Sequence, residues 1–116
     1  QGKKIFKKVH DNFGGNVRFF VSGGSKLDPR VSRDFLTLGL KVCEGYGMTE
    51  TSPMISLTLN EIRPGSAGRI LPGIEAKIAD DGEIIARGRN VMKGYYNKPE
   101  ETAEQLIARA GYIQEI

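Results

Sequence analysis

The sequence predicts an α/β fold: a βαβ unit of parallel strands followed by a β-rich, mainly antiparallel sub-region. Three observations carry this. Two short apolar runs, 17–22 and 40–43, flank a helical segment, so strand, helix and strand fit in about 27 residues. Such a unit makes its strands parallel, with a right-handed crossover. Residues 74–78 and 83–87 surround Asp80-Asp81-Gly82, a hairpin signal of the Asp-Gly type. The character of the chain also changes near residue 60, which separates sub-regions 1–60 and 61–116 within one domain. A length of 116 residues suits a single domain.

In order, Ile5, Phe6, Val9 and Phe13 mark one face of a helix over 3–13, with lysines on the other face and Gly14-Gly15-Asn16 at its end. Val17–Ser22 reads as a buried strand, as parallel strands do. Gly23-Gly24-Ser25-Lys26 is a turn. Asp28 then serves as N-cap and Pro29 as the first residue of a helix whose apolar positions are Val31, Phe35 and Leu38 and whose stop is Gly39. Leu40–Cys43 is the second strand, and Gly45-Tyr46-Gly47 the turn after it. Residues 55–59 alternate as a short strand, and 60–68 are loop. Residues 74–78 alternate strictly, so one face is wet. A last helix starts at 97–101, with Glu100 and Glu101 suiting its dipole. Its face is Ala103, Leu106, Ile107 and Ala110, and Gly111 stops it.

The net charge of +3 is concentrated at one end: residues 1–18 carry +4 and the remainder −1. That basic segment reads as a solvated helix face, with contact to an anionic membrane surface as the alternative. Nucleic-acid binding would need a basic face with base-reading or stacking residues, and none is expected. The one cysteine, Cys43, excludes an internal disulfide and reads as a buried small hydrophobe. No apolar run approaches the roughly 20 residues that span a bilayer, and the first residues lack a signal-peptide core, so a cytoplasmic location is the default. His10 has no neighbouring ligand for a metal. Ser22, Ser25 and Ser52 lack a nucleophile elbow.

The stretch Glu44–Ser52 draws the functional reading. It sets two glycines, an aromatic ring, hydroxyls and two carboxylates at the carboxyl end of a strand, where open α/β sheets bind ligands. The turns Gly23-Gly24-Ser25 and Gly45-Tyr46-Gly47 are expected at the same sheet edge, as one crevice. Tyr46 offers a face to an adenine ring, and Thr49 can donate to a phosphoryl oxygen. Glu50 can hold Mg²⁺, which binds through one or two carboxylates plus phosphate oxygens. The competing accounts are a tight turn at Gly23-Gly24-Ser25 and a polar turn capped by Thr. There is neither a dinucleotide fingerprint nor a Walker A sequence. Arg63, Arg69, Arg87 and Arg89 read as solvated loop residues.

At Tyr46-Gly47-Met48-Thr49-Glu50 the chain resembles the adenylate-forming, AMP-binding superfamily of acyl-CoA synthetases, luciferases and peptide-synthetase adenylation domains. The resemblance extends to Gly82–Gly88 with Val91–Tyr96, to the Gly23-Gly24-Ser25 turn, and to Gly65–Gly68 and Leu71–Gly73, all in family order. Residues 12–20 most resemble bacterial long-chain fatty acid–CoA ligases. The resemblance implies that a fatty acid carboxylate attacks the α-phosphate of ATP to give an acyl-adenylate and pyrophosphate, after which coenzyme A takes the acyl group. It implies that Gly24, Ser25 and Tyr46 line the adenine, that Thr49 contacts phosphate and that Glu50 binds Mg²⁺. Thr49 and Glu50 become the catalytic candidates, and Gly23, Gly24, Ser25, Gly45, Tyr46, Gly47 and Thr49 the nucleotide-binding ones.

The family's phosphate loop, ribose-binding Asp and adenylation Lys have no counterpart here. The chain is therefore expected to be a middle piece of the large N-terminal domain of an enzyme roughly fivefold longer. The isolated piece is expected to lack ligase activity and to self-associate through faces that pack on the rest of the domain. A location at the inner face of the membrane accompanies the basic-segment alternative. Two rivals stand beside this reading: an adenylating enzyme for an aryl or amino acid, and a non-catalytic nucleotide-binding module.

Overall fold

The computed structural model describes residues 5–107 and 112–114. The elements are α1 (Lys7–Asn12), β1 (Phe20–Ser22), α2 (Pro29–Thr37), β2 (Val42–Tyr46), a 3₁₀ turn (Thr49–Thr51), β3 (Ser56–Leu57), β4 (Arg69–Ile70), β5 (Ile74–Ile78), β6 (Ile84–Gly88), α3 (Pro99–Gln105), β7 (Leu106–Ile107) and β8 (Tyr112–Gln114). The chain forms two compact units, residues 1–46 with 57–69 and residues 47–56 with 70–116. The fold is the expected α/β mixture of parallel and antiparallel strands.

In the first unit β1 and β2 are parallel, with Phe20, Val21 and Ser22 opposite Val42, Cys43 and Glu44. The α2 crossover begins as its residues dictate. The Asp28 carboxylate accepts from the Arg30 N–H at 2.8 Å, and Pro29 occupies the first turn, where its missing N–H costs nothing. Asp28→Ala should lower the unfolding free energy by about 1 kcal/mol, read as a shift of the urea midpoint at constant slope. Phe20 stands edge-on to Phe13 at 5.2 Å and to Phe35 at 6.0 Å, tying α1, β1 and α2 together. Leu40, Val42 and Cys43 are the buried apolar residues beneath.

Four expectations are corrected here. The apolar stripe of α1 is not its buried face: Ile5 and Phe13 are exposed and His10 is buried, donating from Nε2 to the Leu38 carbonyl at 2.8 Å. A satisfied imidazole can be buried where an unpaired one could not. In α2 the enclosed residue is Ser32, while Val31, about 100° around the helix, is exposed. The strand expected over 17–22 is only three residues long, and Val21 on it is 56% exposed. β2 also runs further than expected, taking in Glu44, Gly45 and Tyr46. Its extension is held by Thr58, whose hydroxyl accepts the Glu44 N–H at 2.7 Å and whose N–H donates to the Glu44 carbonyl at 3.0 Å.

The second unit is an antiparallel sheet of order β5-β6-β8-β7. β5 and β6 pair from Ile74 opposite Gly88 to Ile78 opposite Ile84, closed by the Asp80-Asp81-Gly82 turn. There the Gly82 N–H donates to the Ala79 carbonyl and the Asp81 carboxylate accepts from the Glu83 N–H at 3.1 Å. Ile55 and Ala86 are its buried apolar residues. The last helix is shorter than expected. α3 ends at Gln105, and Leu106 and Ile107 pair with Ile113 and Tyr112 as strand. Isoleucine, being β-branched, suits a pleated, paired position better than a helix end. Ala110 and Gly111 lie outside the described residues. Among the described residues no helix is long and apolar enough to cross a membrane.

Candidate functional site

The candidate residues fall in both units. In the first, Gly23, Gly24 and Ser25 follow β1 and are exposed, while Gly45 and Tyr46 are the last residues of β2. The parallel pairing brings the two glycine segments together. A Cβ on Gly23 would stand 3.2 Å from the Gly45 carbonyl oxygen, so the strands meet here backbone to backbone. Tyr46 is half-buried, and its hydroxyl is enclosed without a hydrogen-bond partner among the described residues. Buried hydroxyls are almost always paired, so this group stands out, as do Ser32 Oγ and Asn90 Oδ1 among the described residues. Just behind, the Glu44 side chain is buried and accepts the Gly65 N–H at 3.0 Å, fixing the loop after β3 to β2. Glu44 is therefore a structural carboxylate.

In the second unit Gly47, Thr49 and Glu50 lie in and before the 3₁₀ turn. Its tightness is set by Thr51, which is fully enclosed. The Thr51 hydroxyl accepts the Met48 N–H at 3.1 Å and donates to the Met48 carbonyl at 2.9 Å. The threonine that caps this turn is thus Thr51. Thr49 stays exposed, with no side-chain hydrogen bond among the described residues. Of the two accounts weighed for a threonine here, each belongs to a different residue.

Glu50 is held from two sides. Its carbonyl accepts the Met92 N–H at 2.8 Å, and its Oε1 accepts the Tyr95 hydroxyl. Donating to a carboxylate raises the Tyr95 pKa above its ordinary value, with burial and the Glu50 charge adding in the same direction. Oε2 of Glu50 has no partner among the described residues. The Asn90 amide donates to the carbonyls of Thr51 at 2.8 Å and Met54 at 2.9 Å, which straps the turn in place. Sequence reasoning did not single out Thr51, Asn90 or Tyr95. Tyr95 stood inside a recognised motif, but nothing in the motif distinguishes it from Tyr96, which is 91% exposed. No group of three or more His, Cys, Asp or Glu that could hold a metal ion occurs among the described residues.

The AMP-binding enzyme family matches residues 1–96, and the chain belongs to that family. It is 38% identical over 101 residues to the long-chain-fatty-acid–CoA ligase FadD15 of Mycobacterium bovis, covering 86% of this chain and 17% of that protein. It is 40% identical over 121 residues to the peroxisomal long chain acyl-CoA synthetase 7 of Arabidopsis thaliana, covering 90% of this chain and 17% of that protein. Among solved structures it resembles apo MatB from Rhodopseudomonas palustris with a TM-score of 0.77 and 29% identity, over 97% of this chain and 25% of that one. The chain therefore spans about a sixth of the length of the curated relatives it matches.

Proposed function

We propose that the protein carrying this chain is an ATP-dependent, AMP-forming ligase that activates a long-chain fatty acid as its acyl-adenylate and transfers the acyl group to coenzyme A. The observation that carries the reading is the Tyr46–Glu50 segment: an exposed Thr49 hydroxyl beside a Glu50 carboxylate with one oxygen anchored and one free. The likeness to long-chain acyl-CoA ligases supports the choice of acid and acceptor.

The residues present suit the implied groups. The orphaned Tyr46 hydroxyl and the unpaired Thr49 hydroxyl are polar groups in need of partners. A single carboxylate suits a cation that takes its remaining ligands from phosphate and water. Gly24, Ser25 and Tyr46 are assigned to the adenine, and Gly23, Gly45 and Gly47 to the nucleotide-binding turns. Thr49 donates to a phosphoryl oxygen, and Glu50 holds Mg²⁺. Bound there, the ion neutralises charge that develops on the phosphates. In the first half-reaction a carboxylate oxygen bonds to the α-phosphorus as the bond to pyrophosphate breaks. In the second the thiolate of coenzyme A bonds to the acyl carbon and AMP leaves. Sub-regions 1–60 and 61–116 are assigned to one AMP-binding domain.

Pyrophosphate release by the full-length protein, screened with palmitate, benzoate and amino acids, tests the reading. Palmitate is expected to be the preferred acid. A preference for benzoate or an amino acid would move the protein to another adenylating class. ATP binding without turnover of any acid would favour a non-catalytic module. The 116 residues alone should form no acyl-hydroxamate from ATP and palmitate.

A further inference from the structure

We propose that Tyr95 is a positioning residue for the Glu50 carboxylate, setting which oxygen is available to a cation. The inference rests on the reading of Glu50 just given. A glutamate has three side-chain torsions and loses considerable freedom when ordered. Here a phenol 45 residues along the chain takes Oε1 and leaves Oε2 open. A neutral O–H donor suits this task. It fixes the carboxylate while leaving its full negative charge, whereas a lysine or arginine there would compete with the cation.

The phenol is itself anchored. The Tyr95 N–H donates to the Thr102 hydroxyl at 2.9 Å, and that hydroxyl donates onward to the Lys98 carbonyl at 2.6 Å. The rotor of Thr102 is thus fixed by one bond received and one given. Tyr95 is preceded by Gly94, where φ is positive and a Cβ would fall 2.6 Å from Thr102 Cγ2, so glycine lets the chain pass this close to α3. Met92 N–H holds the Glu50 main chain from the same segment, 2.8 Å from its carbonyl. Main chain and side chain of Glu50 are therefore both referenced to residues 92–95, and through Thr102 to α3.

The test is a double-mutant cycle in the full-length protein with Tyr95→Phe, Glu50→Gln and both together. Two quantities are read: the Mg²⁺ concentration giving half-maximal ATP–pyrophosphate exchange, and the calorimetric affinity for Mn²⁺ at fixed ATP. Tyr95→Phe should weaken both about tenfold, the size typical of removing a partner that orients a metal ligand. The KM for the acid should stay unchanged, and the same substitution should have little effect once Glu50 is Gln. If Glu50→Gln leaves the metal dependence unchanged, the reading of Glu50 itself fails and this inference with it. If Glu50→Gln weakens metal binding but Tyr95→Phe does not, or acts equally in both backgrounds, the positioning role alone is overturned. Equal losses of metal, acid and nucleotide affinity after Tyr95→Phe would also overturn it, since they would signal general loosening.

Discussion

Replacing Gly47 by alanine is expected to lower the unfolding free energy by about 3 kcal/mol, near the upper end for forcing extra atoms into a packed site. The new Cβ would lie 1.8 Å from the Pro53 carbonyl oxygen, 2.8 Å from the Pro53 carbonyl carbon and 2.9 Å from the Met54 Cα. These are main-chain atoms, so no side-chain rotation relieves the overlap. The segment 53–54 cannot retreat easily either, since the Met54 carbonyl is one of the two that accept from the Asn90 amide. The turn bearing Thr49 and Glu50 lies between Gly47 and Pro53, so the displacement should also disturb both candidate residues. Denaturant unfolding of wild type and variant, with midpoint and slope fitted, measures the loss. A variant with the wild-type midpoint would show that the turn is looser than these distances state.

Glu50→Gln should separate chemistry from stability. The amide carbonyl of glutamine can still accept the Tyr95 hydroxyl, and the main-chain bond from Met92 does not depend on the side chain. The melting temperature should therefore stay close to wild type, as for most substitutions that break no core contact. What is lost is the negative charge, and with it the hold on a cation proposed for this carboxylate. Exchange of pyrophosphate into ATP by the full-length protein should fall about hundredfold, the scale of losing one preorganised electrostatic contact. Added Mg²⁺ should restore part of it. Exchange within twofold of wild type at low Mg²⁺ would remove Glu50 from the metal role. The contrast with Gly47→Ala is the useful feature: one variant loses the fold of the turn, the other keeps it and loses function.

Much of the fold was legible along the chain. The N-cap at Asp28-Pro29, the Asp80-Asp81-Gly82 hairpin and the alternation of 74–78 all operate within a few residues, and the structure has them where expected. The motif spacing that pointed to the AMP-binding family was equally local, and the family match over residues 1–96 agrees with it. The misreadings share a cause. Apolar spacing at Ile5, Phe13 and Val31 names a helix face but not what covers it, and all three are exposed. His10 and Ser32 are buried although no apolar pattern includes them. A polar residue becomes a core residue when its surroundings satisfy it, as the Leu38 carbonyl does for His10; Ser32 is enclosed with its hydroxyl unpaired among the described residues. At the other end, Leu106 and Ile107 continued a helical period, and pairing with a strand beyond residue 111 overrode it.

The candidate site divides along the same line. That Glu44–Ser52 would be polar, tight and chemically equipped follows from residue types and from glycine at position 47, properties that need no partner elsewhere. Which hydroxyl props the turn is settled within the turn itself: Thr51 closes on Met48, three residues back, and Thr49 makes no side-chain hydrogen bond among the described residues. How the Glu50 carboxylate is aimed depended on a tyrosine 45 residues away. Hydrogen bonds between distant segments form only once packing has brought them together, and no period or motif in one segment encodes the donor supplied by the other.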